Sequence, residues 1–427
     1  MLDIAGRLER AGFSTWCVGG AVRDAILGHT HLDWDLATAA TPEQVREIFG
    51  HRRTIPVGIE FGTVGVLDRD GVLHEVTTFR RDVATDGRHA TVAFGATIDE
   101  DLARRDLTIN AIAYHPTTGE LRDPYGGLRD VERRIVRAVG DPDERMREDR
   151  LRALRALRFA GRLGFTLDPA TWNAIIASAP HLTRLSAERV KQEIEKTLEQ
   201  VARPAAAFRL WQESGALAVL VPQLAHTPAK AFDALDRLPQ PRSGGRPYRK
   251  VLRLAALFGN AGSKGAPAAM TALRFSKADT NLVALLTDRA SRLGPAIEAA
   301  VHDGRPDDAT IRRWVALTGR LNVTTVLRLL EARWEASRAA GGDTGVPSWT
   351  GVAGIYRRML ASAVRDPVEI ADLAIDGDDL RRGGIPAGPA LGKILQALLA
   401  RVIDDPSLNT PGTLLAIARE LHAAEPG

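Results

Sequence analysis

The hydrophobic pattern changes period once, near Gly140, and that change limits what the chain can fold into. Up to about residue 139 short β-rich runs alternate with helical stretches. STWCV (14–18), WDLAT (34–38), FGTVGVLD (61–68), VLHEVTTF (72–79), AIAYH (111–115) and RIVRAV (134–139) read as strands. AVRDAILG (21–28), PEQVREIF with Pro42 near its first turn, and DEDLARRD (99–106) read as helices. Beyond Gly140 the strand signals disappear, and apolar residues recur three or four apart. The expected architecture is an α/β or α+β domain of about 140 residues followed by helices alone. Further breaks are expected at PQPRSGGRPYRK (239–250), GNAGSKGAP (259–267) and AAGGDTGVP (339–347), each rich in Gly and Pro.

A length of 427 residues suggests about three domains at roughly 150 residues each. The formal net charge of +4 is too small to mark a polyanion-binding protein by itself. Its distribution says more. Residues 133–162 hold ten Arg against five acidic residues, a local +5, so an anionic ligand is expected there. The single cysteine, Cys17, excludes an intrachain disulfide framework and any all-Cys metal site. The amino-terminal MLDIAGRLERAGF mixes charged and apolar residues at helical spacing, unlike a signal peptide, and no stretch of 18 apolar residues occurs. The chain reads as soluble and cytoplasmic.

Several motifs carry chemistry. In CVGGAVRD (17–24), Gly19 and Gly20 close a strand and open a helix, so backbone N–H groups approach a phosphate with no Cβ in the way, and Arg23 follows in the first turn. A Gly-Gly pair equally suits a plain strand-to-helix turn. Asp33 and Asp35, i and i+2 on a strand, face the same way, and two such carboxylates repel unless a cation lies between them. Hard divalent ions such as Mg²⁺ take this kind of ligand together with substrate phosphates. Glu75 shares a face with Leu73 and Thr77; it completes a metal-binding cluster if its strand lies beside that of Asp33 and Asp35, and is otherwise an edge charge facing water. In ARRDLTINAIAY, Arg104 and Arg105 suit phosphate oxygens, and Asp106 and Asn110 suit ribose hydroxyls, unless Asp106 is a helix cap.

The sharpest pattern is EDRLRALRALRFAGRLGF, from Glu148. Asp149, Arg152, Arg155 and Arg158 recur every third residue, with Leu151, Leu154 and Leu157 roughly 160° away on a helix. One stripe is then buried while the other faces a cleft. Asp149 only accepts hydrogen bonds and Arg152 only donates them. Cytosine and adenine each present an amino donor beside a ring-nitrogen acceptor and match the pair; guanine and uracil present the reverse. Leaving such groups unpaired costs about 1–3 kcal/mol each. This pair would choose C and A without a nucleic-acid template.

GGAVRD with DWD, RRDLTINA, DPYGGLRDVERRIVRAV (123–139), EDRLR and SAERVKQEIEKTL (186–198) occur in this order over the first 200 residues. Together they resemble the class II tRNA nucleotidyltransferases, the CCA-adding enzymes, with bacterial-type poly(A) polymerase as close kin. The resemblance implies an α+β fold: a polymerase-β-like head (1–139) with a mixed sheet, then an all-α neck (140–201), body (202–340) and tail (341–427). It implies two Mg²⁺ ions on Asp33 and Asp35, with Glu75 a further catalytic carboxylate. Gly19, Gly20, Arg23 and Arg105 would meet the triphosphate and Asp106 the ribose, with Asn110 alongside. Asp149 and Arg152 would read the base, and Arg155 and Arg158 continue the nucleotide contacts. The implied partners are tRNA, CTP and ATP.

The segment FRRDVATDGRHATVAF (79–94) looks like the flexible loop of full CCA-adding enzymes, which favours complete addition over CC-only activity. The span between DWD and RRD lacks the larger insertion of the poly(A) polymerases. Poly(A) synthesis, partial addition and a catalytically silent RNA-binding protein remain alternatives. In the tail-like run 375–405, Arg381 and Arg382 suit tRNA phosphates, or else an ordinary capped surface helix. His302-Asp303 reads as a helix-end turn, with no second hydrolase site.

Overall fold

The apolar runs of the first 139 residues build one mixed sheet. A computed structural model of the chain describes residues 1–30, 34–85, 90–241, 248–339, 341 and 345–424. Helix α1 (Leu2–Arg10), strand β1 (Thr15–Val18), helix α2 (Gly20–Ile26), strand β2 (Asp35–Thr38) and helix α3 (Pro42–Phe49) come first. Strands β3 (Thr54–Gly58), β4 (Thr63–Leu67) and β5 (Leu73–Thr78) follow, then a hairpin of β6 (Arg80–Thr85) and β7 (Ala90–Phe94). Helix α4 (Ile98–Ala103), strands β8 (Ala113–Tyr114) and β9 (Leu121–Arg122), helix α5 (Gly127–Arg133) and strand β10 (Ile135–Val136) complete this part. Seven strands pair in the order β3-β4-β5-β2-β1-β8-β9, with β2 and β5 parallel and the other neighbours antiparallel.

Burial alternates along β5: His74, Val76 and Thr78 are buried, whereas Leu73 and Glu75 are exposed. That is the period-2 pattern of a strand with one face on the core. On the opposite face of the sheet Trp16, Val18 and Ala37 pack with Phe79, Leu102 and Val139 in a further core. Local capping fixes the helices. The Thr41 side chain accepts the Gln44 N–H and Pro42 occupies the first turn of α3; Thr97 caps α4 through the Glu100 N–H. Such a cap is worth about 1 kcal/mol.

Helices α6 (Pro142–Glu148) and α7 (Leu151–Leu163), strand β11 (Thr166–Leu167), and helices α8 (Pro169–Ser178) and α9 (Ala187–Gln200) follow. The expectation that strands end at Gly140 therefore needs correction. β11 pairs in parallel with β10, outside the main sheet, and its two residues are too few to imprint an alternation. β3 also escaped the pattern, because Pro56 breaks its β-rich run; it forms the sheet edge, where a missing N–H is tolerated. Residues 80–85 and 90–94 form a hairpin where a loop was expected, with residues 86–89 outside the described residues.

The chain divides into two compact units, Met1–His226 and Thr227–Gly427. Among the described residues of the second, all regular secondary structure is helical. Leu380, Leu398, Val402, Leu414 and Ala418 form one of its cores. His302 and Asp303 end its 27-residue helix Lys277–Asp303, with His302 Nε2 lying 2.7 Å from the Gly345 carbonyl oxygen. This is the helix-end setting expected of the dipeptide. Among the described residues, no helix is long and apolar enough to cross a membrane. The α+β head followed by helices agrees with the expected fold class.

Candidate active site

Strand β1 ends at Val18, and Gly19 turns the chain into α2 with φ 77° and ψ −136°, a conformation that favours glycine. A Cβ at Gly19 would also lie 3.0 Å from Arg105 Nη1. Val18 is the register partner of Asp35, and on the far side of β2 the pairing of Leu36 with Val76 sets Glu75 alongside. The strand of Glu75 is thus the neighbour that the carboxylate cluster required. Asp35 and Glu75 are exposed side chains that border a cavity of about 1120 Å³ within the first unit. Asp33 lies outside the described residues. Among those that are described, no group of three or more His, Cys, Asp or Glu converges. Two hard oxygen donors on one open wall still fit a hard divalent cation that completes its shell with further oxygens.

The same cavity is bordered by Gly19, Gly20, Arg23, Arg105, Asp106 and Asn110, and by Asp149, Arg152, Arg155 and Arg158. Every described residue singled out in the first 200 positions for metal or nucleotide therefore meets one space. Arg23 is 1% exposed; its Nη1 donates to Asn110 Oδ1 at 2.5 Å and its Nε to Asp24 Oδ1 at 2.8 Å. Burial lowers the Arg23 pKa from its ordinary range, opposed by Asp24. Arg104 and Arg105 follow the end of α4 and share the buried carboxylate of Asp101. Burial would raise the Asp101 pKa, but the two guanidiniums more than reverse this and hold it below its ordinary range.

Asp106 does not cap a helix. Its Oδ2 accepts from Arg155 Nε at 2.7 Å and its Oδ1 from Asn110 Nδ2 at 3.1 Å. Burial pushes the Asp106 carboxyl up, but Arg155 and the Asn110 hydrogen bond outweigh it and hold the group at about 2. Asp106 in turn raises the pKa of Arg155.

The stripe read along 149–158 needs two corrections. Asp149 is not on the helix; it sits between α6 and α7 in an extended conformation, φ −148° and ψ 108°. Arg158 borders the cavity but is buried. It is 3% exposed and its Nε donates to Glu193 Oε1 at 2.5 Å, because three-residue steps fall 60° short of a turn each and carry the row into the core by its end. Leu154 and Leu157 are fully buried, as expected of the apolar stripe. Arg152 donates to Glu148 Oε2 at 2.5 Å and to the Arg104 carbonyl at 3.0 Å.

Several side chains that hold this arrangement were missed. Asp24 bridges Arg23 to Arg162, 3.0 Å away. Phe159 carries three guanidiniums against one ring, with Arg23, Arg155 and Arg158 at 4.9, 5.7 and 4.5 Å from its centroid. Nothing in the spacing announces these. Arg189 and Glu193 were available within SAERVKQEIEKTL, but only the fold turns Arg189 to the cavity wall and Glu193 to Arg158.

Residues 15–137 match the family described as Poly A polymerase head domain, and residues 164–227 that described as Probable RNA and SrmB- binding site of polymerase A. A curated CCA-adding enzyme of Limosilactobacillus fermentum is 33% identical over 427 residues, covering 99% of this chain and 96% of the relative. The chain belongs to the CCA-adding enzymes. Another member of the family, from Geobacillus thermodenitrificans, is 46% identical over 228 residues, 52% of this chain and 54% of that protein. The crystal structure of the Bacillus stearothermophilus CCA-adding enzyme in complex with CTP is 34% identical, covers 98% of this chain and 96% of its own, and superposes with a TM-score of 0.71. Membership of this nucleotidyltransferase family implies use of a divalent metal.

Proposed function

We propose that the cavity of the first unit is the nucleotidyl-transfer site of a complete CCA-adding enzyme, with residue roles as follows. The activity is template-independent addition of CCA to the 3′ end of tRNA from CTP and ATP, with release of pyrophosphate. Asp33 and Asp35 hold two Mg²⁺ ions, with Glu75 beside them. When bound, such ions activate the 3′-hydroxyl and stabilise the pyrophosphate leaving group. The backbone at Gly19 and Gly20 admits the triphosphate, and Arg23 and Arg105 supply its positive surroundings. Asp106 and Asn110 lie at the ribose, with Asp106 kept ionised and acceptor-only by Arg155. Asp149 and Arg152 read the amino and ring-nitrogen edge of C or A. Arg155 and Arg158 support the nucleotide from α7 while Phe159 aligns their guanidiniums. Side chains thus bind and orient; little covalent work is asked of them.

One observation carries this reading: Asp35 and Glu75 on the sheet and Asp149 and Arg152 beside it border a single cavity. In functional terms we divide the chain into a head (1–139), neck (140–201), body (202–340) and tail (341–427), with Arg381 and Arg382 of the tail on tRNA phosphates. We assign the enzyme to the reducing cytoplasm, which suits its one buried cysteine.

The test is primer extension on tRNA ending before CCA and on tRNA already ending in CC, with nucleotides supplied singly and together. CTP alone should add two residues to the first, CTP with ATP three, and UTP or GTP none. Continued extension with ATP alone would mean a poly(A) polymerase, arrest at two residues with both nucleotides a CC-adding enzyme, addition only to tRNA already ending in CC an A-adding enzyme, and no extension of either tRNA an RNA-binding protein.

A further inference from the structure

We propose that Phe61 and Phe94 form a stacking platform for the unpaired 3′-terminal base of the tRNA, beside the cavity; this rests on the reading of that cavity as the nucleotidyl-transfer site. Both phenylalanines are exposed, at 52% and 42%, and Ile55, Val57 and Leu73 of the same end of the sheet are exposed too. Val57 and Leu73 cover Gly65, whose register partners are Ile55 and Glu75. Apolar side chains gathered on one open face mark an interaction surface. The backbone shapes it. The Phe94 ring lies over Gly62, where a Cβ would come within 2.6 Å of its Cε1, and Gly62 has the left-handed φ of 83° that suits glycine. Gly62 leads into Thr63, which pairs with Thr77, their hydroxyl oxygens 3.0 Å apart. Both threonines border the cavity with Glu75 and Arg80, and Arg80 Nη1 donates to the Phe61 carbonyl oxygen. The apolar face is thus continuous with the catalytic one, the Cα atoms of Thr63 and Glu75 lying roughly 8 Å apart by strand rise and spacing.

The occupant follows from the reaction. The 3′-hydroxyl that attacks has to reach Asp35 and Glu75, so the base on the same ribose comes to rest beside them. That base is unpaired, and it changes: first whichever base ends the tRNA, then C, then a second C. A pocket of hydrogen-bonding groups would reject some of these, whereas every base has a π-face that an aromatic ring can cover. Selection thus stays with the incoming nucleotide, and the growing end is held without regard to its identity. Arg80 places a positive charge where the two faces join, which suits the phosphodiester leading to the terminal nucleotide. A second copy of this chain seated on the same rings would crowd Thr63 and Arg80 on the cavity border, while the acceptor end uses that continuity.

The experiment compares tRNA ending before CCA with the same tRNA carrying an abasic last nucleotide. Phe61→Ala and Phe94→Ala should each lower kcat/KM for the ordinary tRNA in CTP addition about tenfold, or about 1.4 kcal/mol, with KM for CTP unchanged. On the abasic-ended tRNA neither substitution should cost more than about twofold, because the partner of the ring is already missing. Phe61→Tyr and Phe94→Tyr, which keep a π-face, should stay close to wild type on both. If thermal melting shows that Phe94→Ala does not fold, Phe94→Leu, which keeps an apolar contact with Gly62 but no π-face, takes its place in the same comparison. Wild-type kcat/KM in either ring-deleted variant, or equal losses on the two tRNAs, would overturn the proposal. So would a dimer in analytical ultracentrifugation that either substitution dissolves, since a second copy would then cover the rings. Absence of extension by the wild-type protein would sink the reading of the cavity and this inference with it, whereas normal extension with unaffected variants sinks the inference alone.

Discussion

Arginines in the first unit and in the tail-like segment of the second are both paired with carboxylates, yet the pairs differ in kind. Around the cavity, beside local pairs such as Arg105 with Asp101 and Arg152 with Glu148, three join distant parts of the chain: Arg155 to Asp106 across 49 residues, Arg189 to Asp149 across 40, Arg162 to Asp24 across 138. Their members are largely buried or half-buried. Arg381 and Arg382 instead pair with Asp378 and Asp379 one turn away in the helix Gly377–Arg382, with both guanidiniums exposed. A long-range pair sets the relative placement of two elements, and breaking it strands a charge in low dielectric. A local exposed pair is screened by solvent and is easily exchanged for another anion. The first kind builds a site, and the second leaves cations available to one.

The sharpest contrast should come from the carboxylates on the sheet. Asp33→Ala or Asp35→Ala should lower kcat for addition by on the order of a thousandfold or more, since metal stabilisation of developing charge is worth several kcal/mol. Filter binding should find tRNA affinity within about twofold of wild type. Substantial residual turnover would remove these residues from the metal role and leave the cavity without a catalytic wall.

Next in size is the Asp106–Arg155 pair. Asp106→Asn keeps the shape but strands Arg155, and urea unfolding at pH 7 should show a loss of about 3 kcal/mol. The acid limb adds a second reading. Because Asp106 is held at about 2, below its ordinary 3.8, its stabilisation is complete above pH 4 and is lost as the pH falls towards 2. Asp106→Asn should lack that part of the decline. Equal decline in both proteins would mean that other carboxylates govern acid unfolding.

Much of this first-unit geometry was legible because short strands with one buried face leave alternation in the sequence, as in His74, Val76 and Thr78, and because Gly19-Gly20 and Asp35 sit at strand ends. What stayed hidden was set by tertiary partners. Arg158 looks like its neighbours Arg152 and Arg155 in the triplet repeat, and only packing against Glu193 buries it. Asp149 looked helical by spacing, but the break between α6 and α7 frees it. Two-residue strands such as β11 are fixed by pairing, not by local preference. The helices past His226 were readable as helices, because their apolar residues recur three or four apart.

Smaller effects sharpen the comparison. Arg152→Ala should cut discrimination of CTP over UTP about tenfold, one unpaired base edge at about 1–3 kcal/mol, while Arg152 also loses its grip on Glu148; kcat/KM ratios measure it. The least effect belongs to the tail. Arg381→Ala and Arg382→Ala each remove a cation whose partner lies in its own helix, so no distant element shifts and the melting temperature should hold. If these cations exchange Asp378 and Asp379 for tRNA phosphates, affinity should fall only a few-fold, and each lost contact should flatten the dependence of log affinity on log salt by about one unit. KM for CTP should stay fixed, because the cavity is built by other pairs. An unchanged salt slope would show that the local pairs are never given up, and the two classes of arginine would then differ in burial alone.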